Sequence, residues 1–207
     1  MHHLEMTMYC AEAYRNARAH GWHDEPRTDA TVRALYHCEL SEAMESYRKH
    51  EPLVWHACPY VEGACESQQV QDEDLHCEAC RAEYRKPEGV AVELIDFVIR
   101  VCDYLGSKQF VFPMSMDTAE KLAAWAVDDY INDEVQDVVN VELPELVDIL
   151  HEQVTLSHVM KNPTYLTTAI GLVFAWICHN GIDPVDLVNE KHAYNKTRSY
   201  KHGNKKC

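Results

Sequence analysis

The stretch 89-GVAVELIDFVIRVCDYLG-106 carries apolar side chains almost all the way round a helix: Val90, Val92, Leu94, Ile95, Val98, Ile99, Val101 and Leu105. A helix without a polar face is a buried one. Glu93 and Asp96 interrupt it, three residues apart and so on one side of the helix. Carboxylates are almost never fully buried unless they are paired with a charge or bound to a cation.

A second stretch repeats the form. Through 34-ALYHCELSEAMESYR-48, apolar residues recur at Val32, Leu35, Tyr36, Leu40, Ala43, Met44 and Tyr47, the spacing of an amphipathic helix, and Glu39 and Glu42 again stand three apart. One such pair is commonly a solvated face. Two pairs on two apolar helices point to four carboxylates, Glu39, Glu42, Glu93 and Asp96, converging on hard cations. Asp103 lies two turns beyond Asp96 on the same face and falls near them.

The chain has 207 residues, enough for one domain spanning 1–207 with a real core. Only seven glycines, few alternating stretches and several amphipathic windows predict an all-α protein, a helical bundle. A formal charge of −15 argues against binding a nucleic-acid backbone, which needs a basic face. It leaves room for a nucleotide, because bound Mg²⁺ inverts the local sign. No apolar run is long enough for a bilayer, so no membrane role is expected. The N-terminus lacks the basic and apolar regions of a signal peptide. With nine cysteines, an odd number, this points to the cytoplasm, where thiols stay reduced.

Along the chain, residues 4–20 read as a first helix ending at His20-Gly21, where Gly21 suits a left-handed stop. Trp22 follows, either covering the end of the core or offering a flat face on which a base stacks. Thr28 or Asp29 caps a second helix from about Thr31 to His50. Residues 52–86 form a Cys-rich insert holding Cys58, Cys65, Cys77 and Cys80. The spacing of Cys77 and Cys80 is that of a zinc knuckle, and the four thiolates would make a closed structural Zn²⁺ site, with His56 or His76 able to replace one of them. The alternative is a surface loop of unpaired thiols. Residues 107–162 read as a helical insertion of two amphipathic helices, with Asp117 as a cap and Pro144 in a first turn, serving as lid, packing or subunit contact. An apolar helix then closes at Asn180-Gly181, and Asp183-Pro184 starts a further turn or short helix. The tail from Glu190 reverses the chain's charge. By composition it is a solvated basic tail, or a counter-charge to the acidic body. By spacing, Lys191, Asn195 and Arg198 share one helical face on which Lys and Arg would grip phosphate oxygens.

Taken together, 20-HGW-22, 39-ELSEAMESYRK-49, 86-KPEGVAVELIDFVIRVCDYLG-106 and the Lys191-x-x-x-Asn195-x-x-Arg198 pattern resemble the MazG-like all-α nucleoside triphosphate pyrophosphatases. The resemblance covers roughly half the chain, in the expected order. It implies a bundle in which Glu39, Glu42, Glu93 and Asp96 hold Mg²⁺, with Mn²⁺ as a substitute. It implies cleavage of a (d)NTP between the α and β phosphates to a monophosphate and pyrophosphate. Glu39 or Glu42 would activate the water, while Lys191, Asn195 and Arg198 would meet the phosphates. A homodimer or homotetramer is implied as well. The competing expectation is a non-catalytic helical nucleotide-binding or regulatory protein that uses the Cys-rich segment for a partner.

Overall fold

The computed structural model describes residues 4–57, 86–131 and 140–204. Cys58, Cys65, Cys77 and Cys80, with the zinc site expected of them, lie outside the described residues, as does His76.

Within these limits the chain is predominantly helical. The elements run α1 (Met6–Ala19), α2 (Asp29–Arg48), β1 (Trp55–Ala57), β2 (Lys86–Glu88), α3 (Val90–Ser107), α4 (Ala119–Ile131), α5 (Leu143–Val159), α6 (Thr164–His179), α7 (Pro184–Thr197) and a four-residue turn of helix, α8 (Lys201–Asn204). Local chemistry sets most of the ends. The Thr28 hydroxyl accepts from the Thr31 N–H at 3.1 Å to cap α2, and the Asp183 carboxylate accepts from the Val185 N–H at 3.0 Å to cap α7. Pro144 stands in the first turn of α5, where its missing N–H costs nothing. Gly21 and Gly181 carry the positive φ of left-handed stops after α1 and α6.

Helix α3 is the axis. Its buried residues include Val92, Leu94, Ile95, Phe97, Val98, Val101, Cys102 and Leu105, which together surround the helix. Each large aliphatic or aromatic side chain so buried contributes about 1.5–3 kcal/mol. Helices α1 and α2 pack directly on α3, α6 and α7 flank it, α5 bridges α2 and α6, and α4 lies against α6. Residues 119–131 and 143–159 therefore build part of the common core: Leu122, Ala126, Leu146 and Leu150 are fully buried in it. The described residues fit the expectation of an all-α chain, with one short ribbon added. Trp55–Ala57 and Lys86–Glu88 pair antiparallel, with His56 opposite Pro87. Of the turn or short helix expected after Asp183, the structure shows a helix, the 14-residue α7.

Two glycines place α3. Gly89, at φ +110°, starts the helix where a Cβ would stand 2.5 Å from the Pro52 carbonyl oxygen. Gly106 lets α1 cross closely, since a Cβ there would meet the Cys10 carbonyl oxygen at 2.1 Å. Gly106→Ala should therefore force α1 off α3 and destabilise the fold by about 1–3 kcal/mol, a loss of several degrees in Tm read by thermal melting.

Candidate metal centre

The first acidic pair rides on α2 and the second on α3. Tyr36 meets Phe97 and Tyr104 edge-on, Glu39 reaches Arg100, and Glu42 lies by Glu93. As the number rises along α2 it falls along α3, so the two helices run antiparallel and their acidic faces oppose each other. Carboxylate oxygens of Glu39, Glu42 and Glu93 all come within 4.8 Å of one another. Glu39 is 4 % exposed, Glu93 half-buried and Glu42 exposed, so the cluster is sealed at one end and open at the other.

Asp96 turns to the other side of this group. Its Oδ2 is 2.9 Å from the Lys191 ammonium, which also donates to the Pro87 carbonyl at 3.1 Å. Lys191 is 1 % exposed. Of the two readings from composition, the solvated tail fails at this residue and the counter-charge holds: Lys191 is a buried cation paired with an acid of α3. The Arg100 guanidinium forms a tight ion pair with Glu39. Sequence reading missed Arg100, although its position four residues after Asp96 and seven after Glu93 marks it as sharing their face.

These charges shape the proton affinities. Burial pushes the Glu39 carboxyl above its ordinary range against the pull of Arg100, with Asp96 and Glu42 adding to the rise. Burial, then the charge of Asp96, pushes Glu93 up to about 8, while Lys191 pulls the other way. Burial disfavours the Lys191 ammonium, but Asp96 and Glu93 outweigh it and hold that group charged. A cluster of oxygen donors that resists ionising alone suits a hard divalent cation, which would replace the protons.

Beside the cluster lies a cleft with about 620 Å³ of empty space, including the part open to solvent. Asp96, Arg100 and Asp103 line it from α3, Trp22 from the turn after α1, and Asn195 and Arg198 from the end of α7. Asp103 does not join the acidic cluster. It accepts from Arg27 at 3.0 Å and pairs with His23 Nε2 at 2.6 Å, which fixes the wall of the cleft. Asn195 is buried, and its Oδ1 has no hydrogen-bond partner among the described residues. Arg198 caps α7 in extended conformation with its guanidinium 6.0 Å from the Tyr194 ring centroid. Trp22 meets the His202 ring edge-on at 5.1 Å. The chain after α7 folds back to hold this end. The Tyr200 hydroxyl donates to Asp24 at 2.5 Å, and the Lys201 N–H donates to the His20 carbonyl at 2.9 Å. Three of the four residues expected to meet substrate, Trp22, Asn195 and Arg198, thus line the cleft, whereas Lys191 stands behind Asp96.

Two outcomes are expected. Lys191→Met should cost about 3–5 kcal/mol in a urea titration, because it leaves Asp96 without its buried counter-charge. The Glu93 carboxyl keeps its proton to about pH 8 in the fold, against an ordinary value of 4.5. The folded state thus binds more protons between those values, and stability without metal falls as pH rises through the window. Added Mg²⁺ should oppose that fall and release protons, read as a buffer-dependent heat in calorimetry; a heat independent of buffer would refute the linkage.

No family model, no curated protein and no solved structure matches this chain.

Proposed function

We propose that this protein is a Mg²⁺-dependent nucleoside triphosphate pyrophosphohydrolase of the MazG-like all-α type. The observation that carries the reading is the convergence of Glu39, Glu42 and Glu93 within 4.8 Å, with Asp96 on the rim of an adjoining cleft. The donor set fits the metal: every ligand is a carboxylate oxygen, the ligand type Mg²⁺ and Mn²⁺ prefer. When bound, the metal supplies positive charge to the phosphate oxygens and lowers the pKa of an attacking water.

The chain's own groups divide the remaining work. Glu39, buried and tied to Arg100, is a fixed ligand. Glu42 is exposed at the open end of the cluster and takes the water's proton. Lys191 holds Asp96 in place from behind, as a positioning residue. Arg198 and the Asn195 amide face the cleft and bind the polyphosphate, where a guanidinium grips oxygens in pairs. Trp22 offers a ring for the base. As the water oxygen bonds to phosphorus, the α–β anhydride bond breaks and pyrophosphate leaves with the bonding pair. The family resemblance adds the expectation of a homodimer or homotetramer.

A pyrophosphate-release assay across the common and damaged (d)NTPs, with Mg²⁺ and with EDTA, tests this. Release that depends on Mg²⁺ and falls about 10²–10⁴-fold in Glu42→Gln is the expected result, given the usual contribution of a positioned base. Glu39→Gln and Asp96→Asn should lose turnover while circular dichroism keeps its helical signal. Silence across the panel, or orthophosphate as the only product, would overturn the reading.

A further inference from the structure

A second concavity lies on the neighbouring stripe of α3 and shares no lining residue with the first cleft. It has about 860 Å³ of empty space, including the part open to solvent. Its apolar surface comes from Val32 and Tyr36 of α2, Tyr104 and Leu105 of α3, Phe110 beyond α3, and Leu166 of α6. Tyr104 and Phe110 are half-buried and form its aromatic wall, with Tyr36, Leu105 and Leu166 buried beneath, a surface suited to a flat ring.

The charge around it runs against the rest of the molecule. The chain carries 34 acidic residues against 19 Lys and Arg, yet here Arg33, Lys108 and Lys161 stand against one carboxylate, Asp29. Each cation has a distinct setting. The Arg33 guanidinium donates to His158 Nδ1 at 2.8 Å. Because Arg has no acceptor, that bond puts the lone pair of His158 on Nδ1 and its proton on Nε2. Lys108 stands with its ammonium over the Tyr104 ring, 5.3 Å from the centroid. Lys161 is exposed, in the turn between α5 and α6, and no hydrogen bond or ion pair holds its ammonium among the described residues. An apolar floor with convergent cations at its edge is the arrangement of a small-molecule site rather than of an ordinary acidic surface.

We infer that the concavity between α2, α3 and the α5–α6 turn is a second ligand site, taking a small molecule with a flat apolar body and one anionic end. The ring lies against Tyr104 and Phe110, over the buried Tyr36, and the anion meets Arg33, Lys108 and Lys161. The site is separate from the acidic cluster, so its occupancy requires neither Mg²⁺ nor a nucleotide.

The test uses the full-length protein and 8-anilinonaphthalene-1-sulfonate as probe, followed by fluorescence and calorimetry. The uncharged N-phenyl-1-naphthylamine and inorganic phosphate serve as controls. Saturable binding of one probe per chain is expected, weakening about ten-fold or more in a Lys108→Glu, Lys161→Glu double variant, since a contact with a charged group is worth about that factor. Both lysines are exposed, so the variant should keep its Tm and helical signal. Phosphate alone should not compete, and the uncharged analogue should bind more weakly. Unchanged affinity in the double variant, equal affinity for the uncharged analogue, or several probes per chain would overturn the inference.

Discussion

Four carboxylates carried on two facing helices, with two internal cations to answer them, set the terms for this molecule. At an effective dielectric of about 20, two like charges 4 Å apart repel by about 4 kcal/mol. Arg100 and Lys191 offset that repulsion for Glu39 and Asp96, but Glu93 and Glu42 are left facing the same space. Because α3 is buried nearly all round, Glu93 cannot swing out to solvent as a residue on an amphipathic face would. The remaining ways to balance the charge are a proton or a cation, which is why Glu39 and Glu93 are reluctant to ionise.

That requirement reaches far along the chain. Lys191 has to come from α7, and the carbonyl that completes its coordination comes from Pro87 in the ribbon just before α3. The ribbon is tied to α7 a second time through His56 and Glu190, 2.5 Å apart. Residues distant in sequence are thus locked to the acidic face by short polar contacts, while α4, α5 and α6 supply the apolar mass that keeps α2 and α3 pressed together. Among the described residues no single helix is long and apolar enough to cross a membrane, and the apolar α6 finds its partners in α4 and α5.

Neighbouring stripes of α3 then serve different spaces. Asp96, Arg100 and Asp103 line the cleft by the acidic cluster, and Tyr104, Leu105 and Lys108 line the concavity beside it. The helical period of 3.6 allows one buried helix to do this, because residues three and four apart share a stripe: Asp96, Arg100 and Asp103 on one, Tyr104 and Lys108 on the next.

The helices, most of their caps and the two acidic pairs were legible in the sequence, because capping, periodicity and three-residue spacing are local properties; at α4 the cap is the Thr118 hydroxyl, which accepts from the Lys121 N–H, and not the expected Asp117. The Thr28, Pro144 and Gly21 signals each depend on a few neighbouring residues and hold in the structure. The sequence also placed Asn195 and Arg198 on one side of a helix, and both line the cleft, although Arg198 does so from an extended cap. Only the tertiary structure decided that Lys191 is buried behind Asp96, that Arg100 answers Glu39 and that His23 and Arg27 take up Asp103. It also decided the short β-ribbon and the gathering of Arg33, Lys108 and Lys161 around one apolar floor. These are pairings between segments well separated in the chain, the nearest being Ala57 with Lys86 in the ribbon, set by which faces pack together, and a local pattern of residues carries no record of that choice.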